Sequence, residues 1–264
     1  MDTALLLDLF DQYQRIEITY PDMQREAFPN LVRFLRPAPG MSFVLYSRLD
    51  ETNLDAAIVE QVAYFSAQGL PFEWKAYGHD TPASLGERLA AHGLIPDEPE
   101  AVMVLDVQKA PVSLVEPVQA DVRLLTNRTQ LANVIRILEG VWGGDFSWVN
   151  ERLGSHMEIP GYLSVYVAYH QSQPACTGWT YFHENNPFAS LWGGSTLGEF
   201  RQQGLYTALL AARLQEARRR GVRYLTVDAS PMSQPILAKH GFQLLTTAQG
   251  YEWKQEKKGC AGAG

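Results

Sequence analysis

The sequence predicts an α/β fold that is built from two related units. Segments with strand-like alternation take turns with amphipathic helical segments along most of the 264 residues. One strand–helix–strand pattern occurs twice, about 150 residues apart. The composition, with 46% hydrophobic and 19% charged residues, is that of an ordinary globular protein with a sizeable core.

The first third of the chain is predicted to begin with a helix and continue with alternating strands and helices. Asn53 is the expected N-cap of the second helix and Gly69 its C-terminal glycine, while Thr81 and Pro82 are expected to start the third. The predicted helices are 2–18, 53–69 and 81–93, and the predicted strands are 41–49, 71–78 and 100–107. The segment 108–119, which contains two prolines, is predicted to be a linker, and residues 113–120 are taken as the linker between the two domains.

The remainder is predicted to hold a larger set of strands. Gly193 and Gly194 interrupt one of them, which indicates a β-bulge. The last segment, 241–254, is predicted to be a hairpin. The predicted strands are 121–125, 161–170, 174–182, 187–197 and 222–230, and the predicted helices are 129–142, 145–157, the segment up to Arg220 and a short one up to His240.

The repeat supports a duplication. His92-Gly93-Leu94 corresponds to His240-Gly241-Phe242, and Gly69-Leu70 corresponds to Gly221-Val222. The offsets are therefore 148 and 152 residues, which is a nearly constant register. Any two strand–helix–strand segments look partly alike, but the shared His-Gly-apolar step favours two copies of one unit.

Charge and cysteine content exclude several classes of function. The net charge of −7 argues against a nucleic-acid partner. Two cysteines cannot build a disulfide framework, and no Cys or His pair has the spacing of zinc ligands, so we predict no metal. The N-terminal segment lacks the features of a signal peptide and no apolar stretch is long enough to span a membrane, so we predict a cytoplasmic protein without a membrane partner.

A polar turn before a helix is the main candidate site. Arg201, Gln202, Gln203 and Gly204 follow a predicted strand and lead directly into the apolar helix that begins with Leu205 and Tyr206. The N-terminus of a helix carries free N–H groups and a positive dipole end, and glycine lets an anion approach the backbone. The turn is therefore a candidate phosphate site, although a glycine near a helix start also serves as a plain turn.

The segment from Thr196 to Phe242 resembles the GCN5-related N-acetyltransferase (GNAT) family. The family's loop reads Arg/Gln-x-x-Gly-x-Gly/Ala between a strand and a helix; Arg201 and Gly204 match it, and Tyr206 departs from the small third residue. In architecture the resemblance extends over about 121–254. It implies two mixed, mostly antiparallel twisted sheets flanked by helices. It also implies a degenerate domain at 1–112, with Asp50 and Glu51 in place of the loop, an acetyltransferase domain at 121–256 and a tail at 257–264.

The resemblance also implies a cosubstrate and a reaction. Acetyl-CoA would lie where the strand ending near Leu197 splays from the next, and its pantetheine would pair with the backbone of Thr196 and Leu197. The pyrophosphate would contact Arg201 and the amides of a loop and helix start that comprise Gln202, Gln203, Gly204, Leu205, Tyr206 and Thr207. An amine of a small molecule or peptide would attack the thioester. The oligomeric state stays open, with a homodimer as one option.

The catalytic residues are less well defined. Leu237 stands where many members of the family carry a tyrosine acid, and Ser230 stands at the end of the second splayed strand, where it could orient a water. Ser230 and Ser233 could instead cap a helix, which is the role we favour for Ser233. Glu139 and Asp145 are candidate bases, against the commoner case of exposed helix carboxylates.

Three tryptophans could line an acceptor pocket, namely Trp142, Trp148 and Trp192, but we favour core positions for them. Cys176 is expected to be a buried apolar residue. The leading hypothesis is an acetyl-CoA-dependent N-acyltransferase. Because Leu237 replaces the acid, a CoA-binding sensor without catalysis is the alternative, and a structural interaction protein is the third hypothesis.

Overall fold

The computed structural model describes residues 3–37 and 40–254. They form two compact units. The first unit contains the described residues up to Ala101 and those from Thr246 onwards, and the second unit is Val102–Leu245. The predicted domain limits at 112 and 121 divide the chain differently and stay a prediction, and the predicted tail at 257–264 lies outside the described residues. No helix in the described part of the chain is long and apolar enough to cross a membrane.

The first unit contains three α-helices. Helix α1 is Thr3–Phe10 and continues as a π-helical stretch over Asp11–Ile16. Helices α2 and α3 are Leu54–Ala67 and Leu85–Ala91. Asn53 occupies the N-cap position of α2 as predicted, although its side chain makes no capping bond. The N-cap position of α3 is Ser84, so Thr81 and Pro82 lie before this helix and not at its start.

The strands of the first unit pair in the order β1-β2-β3-β4-β12. The two-residue strand β5 lies outside this order and pairs with β12. Strands β3 and β4 are parallel, while the other pairs are antiparallel. The hairpin of β1 and β2 was not predicted from the sequence. The bounds are Gln24–Phe28 (β1), Leu31–Leu35 (β2), Ser42–Ser47 (β3), Phe72–Tyr77 (β4), Ile95–Pro96 (β5) and, for β12, the part of Gln243–Trp253 that begins at Thr246.

The last strand corrects one prediction. Residues 243–253 form a single strand and not a hairpin. Gly250, near its end, faces Lys75 in the antiparallel ladder with β4. The chain therefore continues through Gly250 as a strand and does not turn back there.

The second unit contains a short helix and four longer elements. A single turn, α4 (Val112–Val115), lies in the segment that was predicted to be a linker. The predicted helices of this unit are all present. They are α5 (Leu131–Trp142), α6 (Trp148–Met157), α7 (Leu205–Arg219) and α8 (Gln234–Lys239).

The strands of the second unit are ordered β6-β11-β10-β9-β8-β7. Strands β10 and β11 are parallel, and β10-β9, β9-β8 and β8-β7 are antiparallel. The register of β10 on β9 shifts between Trp192 and Ser195, which confirms the predicted bulge. The bounds are Glu100–Asp106 (β6, whose first two residues belong to the first unit), Asp121–Leu124 (β7), Leu163–His170 (β8), Gln173–Phe182 (β9), Phe188–Thr196 (β10) and Tyr224–Ala229 (β11).

The two faces of this second sheet are covered by different helices. Helices α5 and α6 pack on the face that carries Val165, Val167 and Trp179. Helix α7 packs with Leu205 and Leu209 on the opposite face. The observed fold is thus a mixed α+β fold with a mostly antiparallel open sheet and flanking helices, as predicted.

Candidate active site

Strands β10 and β11 run side by side only at their beginnings. Phe188, Ala189 and Ser190 pair with Tyr224, Leu225 and Thr226, whereas β10 continues to Thr196 and β11 to Ala229. Parallel strands whose ladder stops halfway leave backbone N–H and C=O groups open toward the gap between them. The gap opens at the carboxyl ends of both strands, where open α/β sheets commonly bind ligands.

The polar turn follows β10 directly and leads into α7. A short 3₁₀ turn over Gly198–Phe200 precedes it, and Gln202 and Gly204 have left-handed backbone angles, with φ of 62° and 77°. The first intrahelical bond runs from the amide of Ala208 to the carbonyl of Gly204. The amides of Leu205, Tyr206 and Thr207 precede that bond and point out of the helix start.

The surroundings of this turn suit an anion. Arg201 to Gly204 are exposed, and a Cβ placed on Gly204 would meet no atom within 4 Å. Leu205 is buried, so its side chain does not project into this exposed turn. An anion at the helix start would therefore meet backbone N–H groups and the positive end of the helix dipole.

Two side chains brace the turn from within. The Nε of Arg201 donates to the carbonyl of Thr196 at 3.2 Å, and Nε2 of Gln203 donates to the carbonyl of Glu199 at 3.1 Å. The nine residues that the sequence singled out for the cosubstrate thus form one continuous strand–turn–helix segment.

Thr196 and Leu197 face opposite edges of β10. The amide of Leu197 donates to the carbonyl of Ala175 on the side of β9. Because successive residues of a strand direct their N–H and C=O groups to opposite edges, Thr196 directs its groups toward the open gap, where its carbonyl accepts the bond from Arg201. Of these two predicted pairing residues, Thr196 has the suitable orientation, and Leu197 is already paired within the sheet.

The side chain of Tyr206 turns away from the helix start. This orientation explains why the position can hold a tyrosine instead of the expected small residue. A Cβ on Gly194 would come within 3.0 Å of the Tyr206 ring, so the ring lies against the bulge of β10. Its hydroxyl lies beside the guanidinium of Arg213, two turns further along α7. Burial raises the pKa of the Tyr206 phenol, which therefore stays protonated at neutral pH. The bulk of this tyrosine is accommodated inside the unit and leaves the anion site clear.

Arg213 is a buried cation below the turn. It is 1% exposed, and its Nε has no hydrogen-bond partner. Burial lowers the pKa of its guanidinium, while Tyr206 and Cys176 act in the opposite direction. Cys176, which is fully buried as predicted, contacts Thr196, with 3.1 Å between its Sγ and the threonine Oγ1. Arg213 is therefore linked to both halves of the candidate site, the strand end and the helix start.

His240 joins the start of α7 from the other side. Its Nε2 lies 3.1 Å from the hydroxyl of Thr207 in the first turn of α7. Burial lowers the pKa of His240, so the ring is neutral at neutral pH and shares one hydrogen bond with the Thr207 hydroxyl. This contact gives the His-Gly-Phe step, which was noted only as part of the repeat, a place beside the candidate site.

The two predicted carboxylate bases lie on the surface. Glu139 is exposed on α5. Asp145 is also exposed and accepts hydrogen bonds from the amide and the hydroxyl of Ser147 at 2.7 and 3.0 Å. These bonds, the amide first, hold the pKa of Asp145 below its usual value. Asp145 is thus engaged by Ser147, the N-cap residue of α6, and is a weak candidate for a base.

Ser230 caps the turn that leads into α8. Its hydroxyl accepts from the amide of Ser233 at 3.3 Å and lies 3.2 Å from the Ser233 hydroxyl. Ser233 occupies the N-cap position but makes no capping side-chain bond, so the capping role predicted for Ser233 belongs to Ser230. Leu237, the residue in the place of the tyrosine acid, is fully buried.

Sequence reasoning missed Asp228. Ser190 and Thr226 are partners in the parallel ladder and share one face of the sheet. Trp192 and Asp228 follow two residues later on their strands and lie on the same face, which we call the acceptor face. Asp228 is partly exposed and stands beside the gap. The sequence shows an aspartate at position 228, but it does not show how β11 is aligned with β10.

The three tryptophans are not core residues, contrary to prediction. Trp142, Trp148 and Trp192 are 59%, 40% and 47% exposed. The core positions of this unit are instead filled by Trp179 and by aliphatic residues of α5 and α6.

Comparisons with solved structures place the fold among the GNAT acetyltransferases. A GCN5-related N-acetyltransferase from Kribbella flavida superposes with a TM-score of 0.67 at 13% identity, over 96% of this chain and 95% of that one. The tandem GNAT protein of the clavulanic acid biosynthesis pathway superposes with a TM-score of 0.60 at 16% identity, over 89% and 84%.

A GCN5-related N-acetyltransferase from Sphaerobacter thermophilus is similar with a TM-score of 0.58 at 12% identity, over 86% of this chain and 81% of that one. No protein-family model and no curated protein matches the sequence. At these identities the likeness concerns the fold.

Proposed function

We propose that the protein is an acyl-CoA-dependent N-acyltransferase that transfers the acetyl group of acetyl-CoA to an amine of a small molecule or peptide. The observation that carries the proposal is the half-paired parallel ladder of β10 and β11, with the polar turn and the start of α7 directly behind β10. This arrangement offers an open strand edge and a helix N-terminus within one continuous segment, as an elongated nucleotide thioester requires.

Each part of the cosubstrate has a counterpart in the chain. The amides of Gln202 to Thr207 would receive the pyrophosphate, and the open edge of β10 at Thr196 would pair with the pantetheine. The site has room for a phosphate in front of Gly204, and it has no side-chain carboxylate at that position.

The reaction would take place in the gap between the strands. The nitrogen of the neutral amine attacks the carbonyl carbon of the thioester. A C–N bond forms, the C–S bond breaks, and the electron pair leaves with the sulfur as a thiolate. The proton lost by the amine passes to a base, for which Asp228 on the acceptor face is the best-placed carboxylate. Glu139 and Asp145 are poorer candidates because of their exposure and, for Asp145, its hydrogen bonds from Ser147.

No tyrosine acid is needed in this scheme. CoA is a fairly good leaving group because thiols of this kind have a pKa near 8.5. The thiolate can therefore leave unprotonated and take a proton from water, which agrees with Leu237 being buried and apolar.

We also propose that the first unit binds no cosubstrate. The carboxylate of Asp50 accepts hydrogen bonds from the amides of Thr52 and Asn53 at 2.8 and 3.2 Å, so an anion of the chain itself occupies the start of α2. Its pKa is lowered by the bonds from Thr52 and Asn53, first the Thr52 hydroxyl. A pyrophosphate at this position would be repelled.

The gap between β3 and β4 in the first unit is filled by Arg15. Ser42 to Val44 pair with Phe72 to Trp74, and the ladder then stops as it does in the second unit. Beyond it, Nε of Arg15 donates to the carbonyl of Leu45 at 3.1 Å. The same guanidinium binds Asp80 at 2.7 Å and lies 3.9 Å from the centre of the Tyr77 ring. The strand edge that would pair with pantetheine is thus taken by a side chain.

The alternative is a CoA-binding protein without catalysis, which the buried Leu237 favours. Release of CoA thiol, measured over a panel of amines, distinguishes the two. We expect amine-dependent thiol release that falls at least about a hundredfold in Asp228→Asn, as for loss of a general base. Glu139→Gln is the matched control and should keep its rate. Tight acetyl-CoA binding without any amine-dependent release would favour the alternative.

A further inference from the structure

Two exposed indole rings are anchored to strand β10. Nε1 of Trp142 donates to the hydroxyl of Ser195 at 3.0 Å, and Nε1 of Trp192 donates to that of Ser190 at 2.9 Å. The polar edge of each indole is therefore satisfied, while 59% and 47% of the two residues stay exposed. Exposed tryptophans whose N–H groups are already bonded present flat apolar faces to solvent, which is unusual away from a binding surface.

Both indoles are attached on the acceptor face. Trp192 follows Ser190, the last residue of β10 that pairs with β11, by two positions. Beyond the bulge, Ser195 pairs with Thr177, which is two residues from Trp179, the partner of Trp192. Because directly paired residues share a face, Ser195 is on the same face as Trp192. The two rings are thus attached on either side of the bulge, along the strand that borders the gap.

Trp148 differs from these two. The guanidinium of Arg152 lies 5.1 Å from the centre of the Trp148 ring, so a cation of the chain already occupies its face. Among the described residues no Lys or Arg covers Trp142 or Trp192 in this way. Trp148 therefore serves as an internal control for an exposed indole outside the proposed surface.

The chemistry of this surface selects one class of amine. Indole faces attract flat rings and cations, and amines arrive as cations at neutral pH. A carboxylate accompanies the indoles, because Asp228 lies across the gap on the acceptor face. The hydroxyl groups of an amino sugar would need hydrogen-bonding partners, whereas both indole N–H groups of this surface are already bonded.

We propose that the acceptor is a primary amine joined by a short chain to an aromatic group, and that Trp142 and Trp192 bind the aromatic group. The inference rests on the proposed acetyl transfer and specifies its acceptor class. The ammonium group, or the amine that it becomes, would lie toward the gap and Asp228, and the ring would lie against the indoles.

The test compares kcat/KM for 2-phenylethylamine and 2-cyclohexylethylamine, which have the same carbon skeleton with a flat and a puckered ring. Glucosamine and the N-terminus of a short peptide complete the panel. We expect 2-phenylethylamine to be preferred over each of the others by about tenfold or more. Trp142→Leu and Trp192→Leu should each lose most of that preference through a higher KM for the amine, with the KM for acetyl-CoA unchanged. Trp148→Leu should behave like the wild type.

Other outcomes separate this inference from the proposed function. If glucosamine or the peptide is the better acceptor, or if both variants keep the preference, the acceptor class is wrong while acetyl transfer stands. If no amine is acetylated, binding of 2-phenylethylamine is measured by tryptophan fluorescence in the same variants. Binding that is lost in Trp142→Leu and Trp192→Leu supports the inference, and absence of binding to the wild type overturns it. A separate titration with acetyl-CoA reports on the proposed function.

Discussion

The Tyr206 hydroxyl lies beside the guanidinium of Arg213 on the inner side of α7, and the Tyr206 ring lies against Gly194, so the two residues connect the start of the helix with β10. Arg213 is almost fully buried, and its Nε has no hydrogen-bond partner among the described residues, so Tyr206 is one of few polar neighbours of this cation.

We expect Tyr206→Phe to lower the free energy of unfolding by about 1–3 kcal/mol, because it removes a polar neighbour of the buried Arg213 cation. The affinity for acetyl-CoA should stay within about threefold, since the hydroxyl points away from the helix start. Chemical denaturation and calorimetric titration measure the two quantities. A large loss of affinity with unchanged stability would show that Tyr206 faces the cosubstrate.

The cap at Asp50 predicts a pH dependence of stability. The pKa of Asp50 is lower in the folded chain than in the unfolded one, so its contribution is fully present above the unfolded pKa, near 3.9, and is lost as pH falls through the folded value. Asp50→Asn should therefore melt at a lower temperature than the wild type at pH 7, and the difference should shrink toward pH 3. Equal melting temperatures at pH 7 would contradict the capping role.

We expect that removing the charge of Arg15 alone strongly destabilises the protein. Its side chain is fully buried between Asp11 and Asp80, and Arg15→Met would leave these carboxylates without their cation. We expect a loss of about 3–5 kcal/mol in the free energy of unfolding, as for a broken buried ion pair. Arg48→Met, at an exposed arginine, is the control and should stay within about 0.5 kcal/mol. A small effect of Arg15→Met would mean that the gap between β3 and β4 does not need this side chain.

Ser230 provides a test of thiolate protonation. Its hydroxyl caps the turn before α8, and the CoA thiolate can leave without an acid, so Ser230→Ala should lower kcat by no more than about tenfold, or about 1.4 kcal/mol. Thermal stability should fall together with kcat. A loss of several thousandfold at unchanged acetyl-CoA affinity would identify Ser230 as the missing acid or as the residue that holds it.

Features that depend on neighbouring residues could be predicted from the sequence. The segment from Thr196 to Thr207 is one example, because strand, turn and helix follow each other within a dozen residues. The bulge at Gly193 and Gly194 is another, since the glycines themselves mark it.

Features that depend on pairing between distant segments could not be predicted. Asp228 gains its place only from the register of β11 on β10, and the exposure of Trp142 depends on its bond to Ser195. Strand β1 was missed because Gln24–Phe28 is polar and mostly exposed, so it lacks the alternation that marks a half-buried strand. The Ser230 cap was assigned to the wrong serine because two serines three residues apart offer the same signal.

The most direct test of the central claim, that the chain binds one acetyl-CoA at the start of α7, is a calorimetric titration of the wild type, Gly204→Asn and Gly204→Asp. Asn and Asp adopt the left-handed backbone conformation of Gly204 more readily than other non-glycine residues, and their side chains differ mainly in charge. We predict that the wild type and Gly204→Asn bind one acetyl-CoA per chain. The affinity of Gly204→Asp for acetyl-CoA should be at least about a hundredfold lower than that of Gly204→Asn. A stoichiometry of two, no binding to the wild type, or equal affinities of the two variants would contradict the account.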